Sequence, residues 1–113
     1  LIMHMGSLST IGYYQPKNLI HIIFDNESHE STGGQPTTSK TTNFSEILQG
    51  CNYESVNTVQ SESELSNILL RQHQGLLGIV VKIQVGSRND LSRPTDTPKT
   101  TKNRFMDGLS SDD

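Results

Sequence analysis

An α/β fold built on an open parallel sheet is what this sequence predicts, and three observations predict it. Leu19, Ile20, His21, Ile22 and Ile23 form a run that is apolar apart from one His, and Leu77 to Val85 reads as a second buried strand. Such continuous apolar runs belong to strands covered on both faces. Between and before them, apolar residues recur at helical spacing. The resulting order of helix, strand, helix, strand, helix, strand implies a parallel sheet with helices on both faces and right-handed crossovers.

Leu1, Met5, Leu8 and Gly12, with Ile11 beside them, mark the first helix, which should end before Pro16. Asn18 to Phe24 is the first strand, with Asp25 at its C-terminal edge. Asn26 to Thr42 holds Ser, Thr, Gly and Pro and little that packs, so it reads as a long loop. Long loops inside compact domains are usually functional. Asn43 or Ser45 can cap a second helix carrying Phe44, Ile47, Leu48 and Cys51, which Asn52 would close. A short strand near Val56 to Val59 follows. Ser61 and Glu64 then have the form of a capping box, opening a helix whose apolar face is Leu65, Ile68, Leu69 and Gln72. Beyond Gly86 periodicity is lost, with a last short helix predicted only over Lys99 to Met106 and a disordered tail from Gly108 to Asp113.

At 113 residues the chain accommodates one modest core. Nine basic and twelve acidic residues give a formal charge of −3. No basic stripe with interleaved aromatics appears, so nucleic acid is not an expected partner. The longest apolar run falls far short of the roughly 20 residues of a membrane helix, so no membrane association is expected either. The lone Cys51 excludes an internal disulfide and any CxxC metal site, which fits a reducing, cytoplasmic setting. The chain opens on Leu1 with no basic segment and apolar run of a targeting peptide, and a start inside a coding region is the simpler expectation.

In an open parallel sheet ligands bind beyond the C-terminal ends of strands, which directs attention to Asp25-Asn26-Glu27-Ser28-His29. Asn26 offers a side-chain carbonyl and Ser28 a main-chain carbonyl two residues on, a geometry suited to a hard divalent cation such as Mg²⁺. An Asx-turn that merely closes the strand is the competing reading. Gly34 to Thr41 nearly spells a P-loop, but Ser39 replaces the second Gly and Pro36 removes an amide the phosphate cradle needs. His4, His21, His29 and His73 lack metal-ligand spacing, and His21 reads as a satisfied core residue.

Met3 to Gly12, Pro16 to Leu19 and Asp25 to Gln35 together resemble the diphosphate-binding, C-terminal domain of thiamine-diphosphate-dependent decarboxylases. Within that superfamily they are most similar to the phosphonopyruvate decarboxylases and next to the sulfopyruvate decarboxylases. Gly86 to Pro98, with Lys102, Phe105 and Met106, is similar to the C-terminal segment of the phosphonopyruvate enzymes, although Ser92 stands where Gly is expected and Asp96 where Thr is expected. The superfamily's diphosphate motif begins with Gly-Asp-Gly and ends in an Asn-containing turn. The Asn end is present here at Asn26, and Gly-Asp-Gly would fall just before Leu1. The chain therefore divides, on this resemblance, into a partial diphosphate domain over 1–86 and an arm with a flexible tail over 87–113.

The resemblance implies thiamine diphosphate and Mg²⁺ as cofactors, with Asn26 and Ser28 as metal ligands. It implies that Leu1, Met3, Met5 and Gly6 lie beside the cofactor, where the first helix aims its N-terminal amides at the diphosphate. His29 and Glu30 would border the reacting centre. Arg88 and Arg93 could place guanidinium forks on a phosphonate dianion, with pairing to Asp90 or Asp96 on a solvated arm as the alternative. The implied reaction is decarboxylation of phosphonopyruvate to phosphonoacetaldehyde and CO₂ in phosphonate biosynthesis. A pyrimidine-binding domain, supplied by the rest of a longer chain or by another subunit, is the implied partner, in an assembly expected to be a homo-oligomer. A sulfopyruvate decarboxylase diphosphate-domain chain, or a non-catalytic fragment kept for assembly, is the alternative. By itself the chain is expected to catalyse nothing.

Overall fold

A computed structural model describes residues 1–86 and 88–110 of the chain. A 3₁₀ turn at Ile2–His4 leads into helix α1, Gly6–Tyr14. Strand β1, Ile20–Asp25, is followed by a two-strand ribbon of β2, Ser28–His29, and β3, Gln35–Pro36. Helix α2, Phe44–Gly50, strand β4, Ser55–Val59, helix α3, Glu62–Leu69, and strand β5, Leu77–Lys82, complete the layered part. Helix α4, Pro98–Ser110, forms the C-terminal arm.

The three long strands are parallel in the order β1-β5-β4, so the last strand in sequence is the central one. Its residues Leu77 to Val81 are all buried, as a strand with a neighbour on each edge and helices on both faces must be. Side chains alternate across the sheet, and each face has its own core. Leu8 of α1 and Phe44 and Leu48 of α2 meet Ile23, Val80 and Tyr53 on one face. On the other, Leu65 and Ile68 of α3 cover Val59, Leu77, Ile79 and Val81. The predicted α/β fold with a helix-flanked open parallel sheet is therefore the observed one.

Local chemistry explains where the elements stop. The helix predicted from Leu1 begins at Gly6 instead, because no side chain caps either segment and the first residues tighten into the 3₁₀ turn. Asn43 caps α2 by accepting from the Glu46 amide at 3.3 Å, and Asn52 at φ 68° carries the chain away from its end. Ser61 and Glu64 make the full capping box. The strand predicted to reach Val85 ends at Lys82, since β1 stops opposite it at Asp25 and β4 stops at Val59. Ile83 and Val85 are consequently exposed. Leu69, assigned to the apolar face of α3, is 41% exposed, and Gln72 lies beyond the helix.

The loop predicted over Asn26 to Thr42 is more ordered than its composition suggests. Ser28 pairs with Pro36 and His29 with Gln35 across the ribbon, and Thr37 caps a 3₁₀ turn over Thr38–Thr41. The helix predicted over Lys99 to Met106 extends from Pro98 to Ser110, so Gly108 to Ser110 of the predicted tail are helical. Ser111 to Asp113 of that tail, and Ser87 of the arm, lie outside the described residues.

Candidate functional site

The C-terminal end of β1 carries two successive Asx-turns. Asp25 Oδ1 accepts from the Glu27 amide at 3.1 Å, and Asn26 Oδ1 accepts from the Ser28 amide, also at 3.1 Å. Between them Glu27 adopts a left-handed φ of 58°. This is the Asx geometry named above as the competing reading. It leaves a lone pair on the Asn26 carbonyl, so the turn and a ligand role coexist in the same atoms. The Asn26 amide nitrogen donates to Glu30 Oε2 at 2.9 Å, which orients the carbonyl oxygen away from Glu30.

This turn opens onto a cleft of about 220 Å³. Leu1, Met3, Asn26, Ser28 and His29 all line it, so the structure brings together residues separated by more than twenty positions in sequence. Met5 and Gly6 stand at the start of α1 and are not among the residues lining the cleft. Glu30 reaches the site only through Asn26. The Ser28 hydroxyl is buried and, among the described residues, has no hydrogen-bond partner. A buried donor without a partner is costly, and a water or ion in the adjoining cleft would satisfy it. No group of three His, Cys, Asp or Glu side chains among the described residues is arranged for a metal. A cation held here would meet the Asn26 side-chain oxygen and the Ser28 main-chain carbonyl, hard oxygen donors of the kind Mg²⁺ takes. The donor set fits that ion.

Beneath the turn lies a polar cluster that sequence reasoning missed. Asp25, only 6% exposed, accepts from Lys82 Nζ at 2.6 Å and from the buried Ser39 hydroxyl. Lys82 Nζ is also 3.7 Å from Glu27 Oε1. Burial pushes the Asp25 carboxyl up, but hydrogen bonds from Lys82, Ser39 and the Glu27 amide outweigh it and hold the group below the usual carboxylate range. The available signal was Lys82 itself: a cation closing an apolar strand run requires a buried partner. A second cleft of about 320 Å³ touches Lys82, Ser39, Lys40 and Thr58 and holds none of the predicted site residues.

The predicted substrate arginines lie apart from this site, on the arm. Arg88 makes a two-pronged pair with Asp90, with nitrogen to oxygen distances of 2.9 and 2.5 Å, and both side chains are exposed. Asp96 pairs with Arg104 at 2.7 Å, and Arg93 is exposed. In this conformation Arg88 takes the solvated-arm alternative.

Comparison with known proteins shows what the chain is similar to. The chain is 36% identical over 107 residues to a phosphonopyruvate decarboxylase of Streptomyces viridochromogenes, covering 93% of this chain and 27% of that protein. It is 35% identical over 113 residues to a sulfopyruvate decarboxylase subunit beta of Methanocaldococcus jannaschii, covering 96% of this chain and 58% of that subunit. The chain is thus similar, over nearly its whole length, to part of each of these decarboxylases. A phosphonopyruvate decarboxylase of Streptomyces hygroscopicus matches at 34% over 108 residues, again across 27% of its length. The resemblance drawn from Met3–Gly12 and Asp25–Gln35 is thus borne out at the level of family. No family model matches the chain. The chain spans about a quarter of the phosphonopyruvate decarboxylases and somewhat more than half of the sulfopyruvate subunits it matches.

Proposed function

We propose that the chain is the C-terminal, diphosphate-binding part of a larger thiamine-diphosphate- and Mg²⁺-dependent decarboxylase, acting on phosphonopyruvate to give phosphonoacetaldehyde and CO₂. The observation that carries this reading is the Asn26–Ser28 turn at the end of a parallel strand, facing a cleft shared with the chain's first residues, in a homologue of named decarboxylases. Thiamine diphosphate, when bound, supplies the electron sink for loss of CO₂. The protein's residues bind and orient. Asn26 contributes its side-chain oxygen and Ser28 its main-chain carbonyl to Mg²⁺, while Glu30 fixes the Asn26 amide through its 2.9 Å hydrogen bond. No side chain caps α1, and although the Leu8 amide donates to the Met5 carbonyl at 3.0 Å, the positive end of the helix dipole favours an anion there. His29, on the ribbon beside the turn, faces the space in which the substrate is to sit.

The aminopyrimidine end of the cofactor requires a pyrimidine-binding domain, which the rest of a longer chain or another subunit supplies, in an oligomer. Relatives named as a beta subunit are consistent with a partner chain. The cytoplasm is the proposed location. Sulfopyruvate is the competing substrate, because sulfopyruvate decarboxylase subunits match the chain nearly as well.

The test is titration of thiamine diphosphate at fixed Mg²⁺ in the complete enzyme. Asn26→Leu keeps roughly the side-chain volume but removes the ligand oxygen, and is expected to lower cofactor affinity roughly 10- to 100-fold with the circular dichroism of the fold unchanged. Asn26→Asp keeps an oxygen and is expected to be milder. Unchanged affinity in folded Asn26→Leu removes the assignment. Turnover of phosphonopyruvate, sulfopyruvate and pyruvate by the unsubstituted enzyme settles the substrate.

A further inference from the structure

Asn26 is flanked by a charged network besides its own bonds to Ser28 and Glu30. The residues on either side of it, Asp25 and Glu27, are both acidic, and one cation reaches both: Lys82 Nζ lies 2.6 Å from Asp25 Oδ2 and 3.7 Å from Glu27 Oε1. Lys82 is 57 residues away in sequence but stands directly opposite Asp25 in the β1–β5 register. The same Asp25 carboxylate takes the Ser39 hydroxyl through Oδ2 and the Glu27 amide through Oδ1, so it joins the end of β1, the end of β5 and the far side of the 26–42 loop.

From this geometry we infer that Lys82 is a positioning residue for the metal turn: by pairing with both carboxylates that flank Asn26, it holds the two Asx-turns in the arrangement that presents the Asn26 and Ser28 oxygens. Without the ammonium, a carboxylate only 6% exposed is left without its cation and faces a second carboxylate two residues on. The turn then relaxes, and with it the left-handed backbone at Glu27, which a non-glycine residue adopts only when its surroundings enforce it. Ser39 anchors the same carboxylate but brings no charge. Changing a supporting residue of this kind typically costs roughly 10- to 100-fold in metal affinity. The inference rests on the proposed cofactor reading.

The experiment uses the complete enzyme with Lys82→Met, Lys82→Gln and Lys82→Arg. Two quantities are read: the Mg²⁺ concentration for half-maximal binding of thiamine diphosphate, and amide hydrogen exchange in the cofactor-free protein. Lys82→Gln is expected to raise the Mg²⁺ requirement roughly 10- to 100-fold. It is also expected to speed exchange at the Glu27 and Ser28 amides while the β4 amides keep their rates. Lys82→Arg is expected to recover most of the affinity. If Lys82→Met fails to fold, Lys82→Gln, which keeps a donor, decides alone. Binding by folded Lys82→Gln at the unsubstituted Mg²⁺ requirement overturns the role of Lys82 and leaves the cofactor reading standing. Failure of the unsubstituted enzyme to bind thiamine diphosphate in any Mg²⁺ concentration overturns both.

Discussion

His21 shows how a polar residue survives inside an apolar strand. Its Nδ1 lies 2.8 Å from the Tyr53 hydroxyl, and the two rings are tilted against each other at 5.9 Å. Burial, and secondarily the charge of the N-terminus, pushes the imidazole below its ordinary range. The folded state thus binds a proton less readily than the unfolded chain, so stability is greatest above the ordinary histidine range and falls as pH drops through it and through the lowered folded value. Urea midpoints measured from pH 7.5 down to 5 should decline for the natural sequence and decline less for His21→Gln. The role of His21 as a satisfied interior residue was legible from its apolar neighbours. Lys82 was not read correctly, because a charge inside an apolar run was absorbed into the strand when it in fact ends it. The arm carries a separate expectation: if Arg88 leaves Asp90 for substrate, Arg88→Ala in the complete enzyme should raise KM for phosphonopyruvate more than for pyruvate. Equal changes for both substrates would confine the arginine to its present pair.

Helix α1 and the C-cap of α2, Cys51, touch backbone to backbone, and one glycine permits it. A Cβ on Gly12 would fall 1.5 Å from the Cys51 carbonyl oxygen, with no flexible side chain to give way. Gln15 fastens the same junction by donating to the Asn52 carbonyl at 3.1 Å. Gly12→Ala should therefore cost about 1–3 kcal/mol or more in chemical denaturation, the range for overpacking, despite the better helix propensity of Ala. In α3 the Ser61 hydroxyl accepts from the Glu64 amide at 3.3 Å while Glu64 Oε2 accepts from Gln60 and Ser61 amides at 2.8 and 3.2 Å. The Gln60 amide foremost, then Ser61, holds the Glu64 carboxyl below its usual range. That contribution is present above the ordinary glutamate range and fades as pH falls through the lowered one. Ser61→Ala should lower stability by about 1 kcal/mol in the same assay. The Ser61–Glu64 box was legible because capping chemistry is local, and Asn43, which caps α2, was one of the two caps the sequence offered there. The ends of β5 and α4 were not, since they depend on where neighbouring strands stop and on residues without apolar periodicity.

At the scale of the molecule, the sheet was predicted in class but its strand order was not, because pairing partners are set by packing among distant segments. Periodicity marks β1, β4 and β5 as strands without saying that the last lies between the first two. The edge of β1 opposite β5 pairs with none of the described strands, and Ile20 and Phe24 are 40% and 63% exposed there. An apolar, unpaired edge is a template for further strand addition. The isolated chain should accordingly self-associate on sedimentation, and Phe24→Lys should reduce that association. The central place of β5 also dictates when the fold can form. Neither β1 nor β4 has a partner within the sheet until Leu77–Lys82 exists, so nearly every pairing waits on a segment made after the other two strands. Loops of that length close slowly, and contacts so distant in sequence give late, cooperative folding. A nascent chain stalled at His73 holds β1, β4, helices α1, α2 and α3 and the local β2–β3 ribbon, but none of the parallel sheet. Its Leu8, Ile23 and Leu48 must then be shielded by something other than the native core until synthesis passes Lys82.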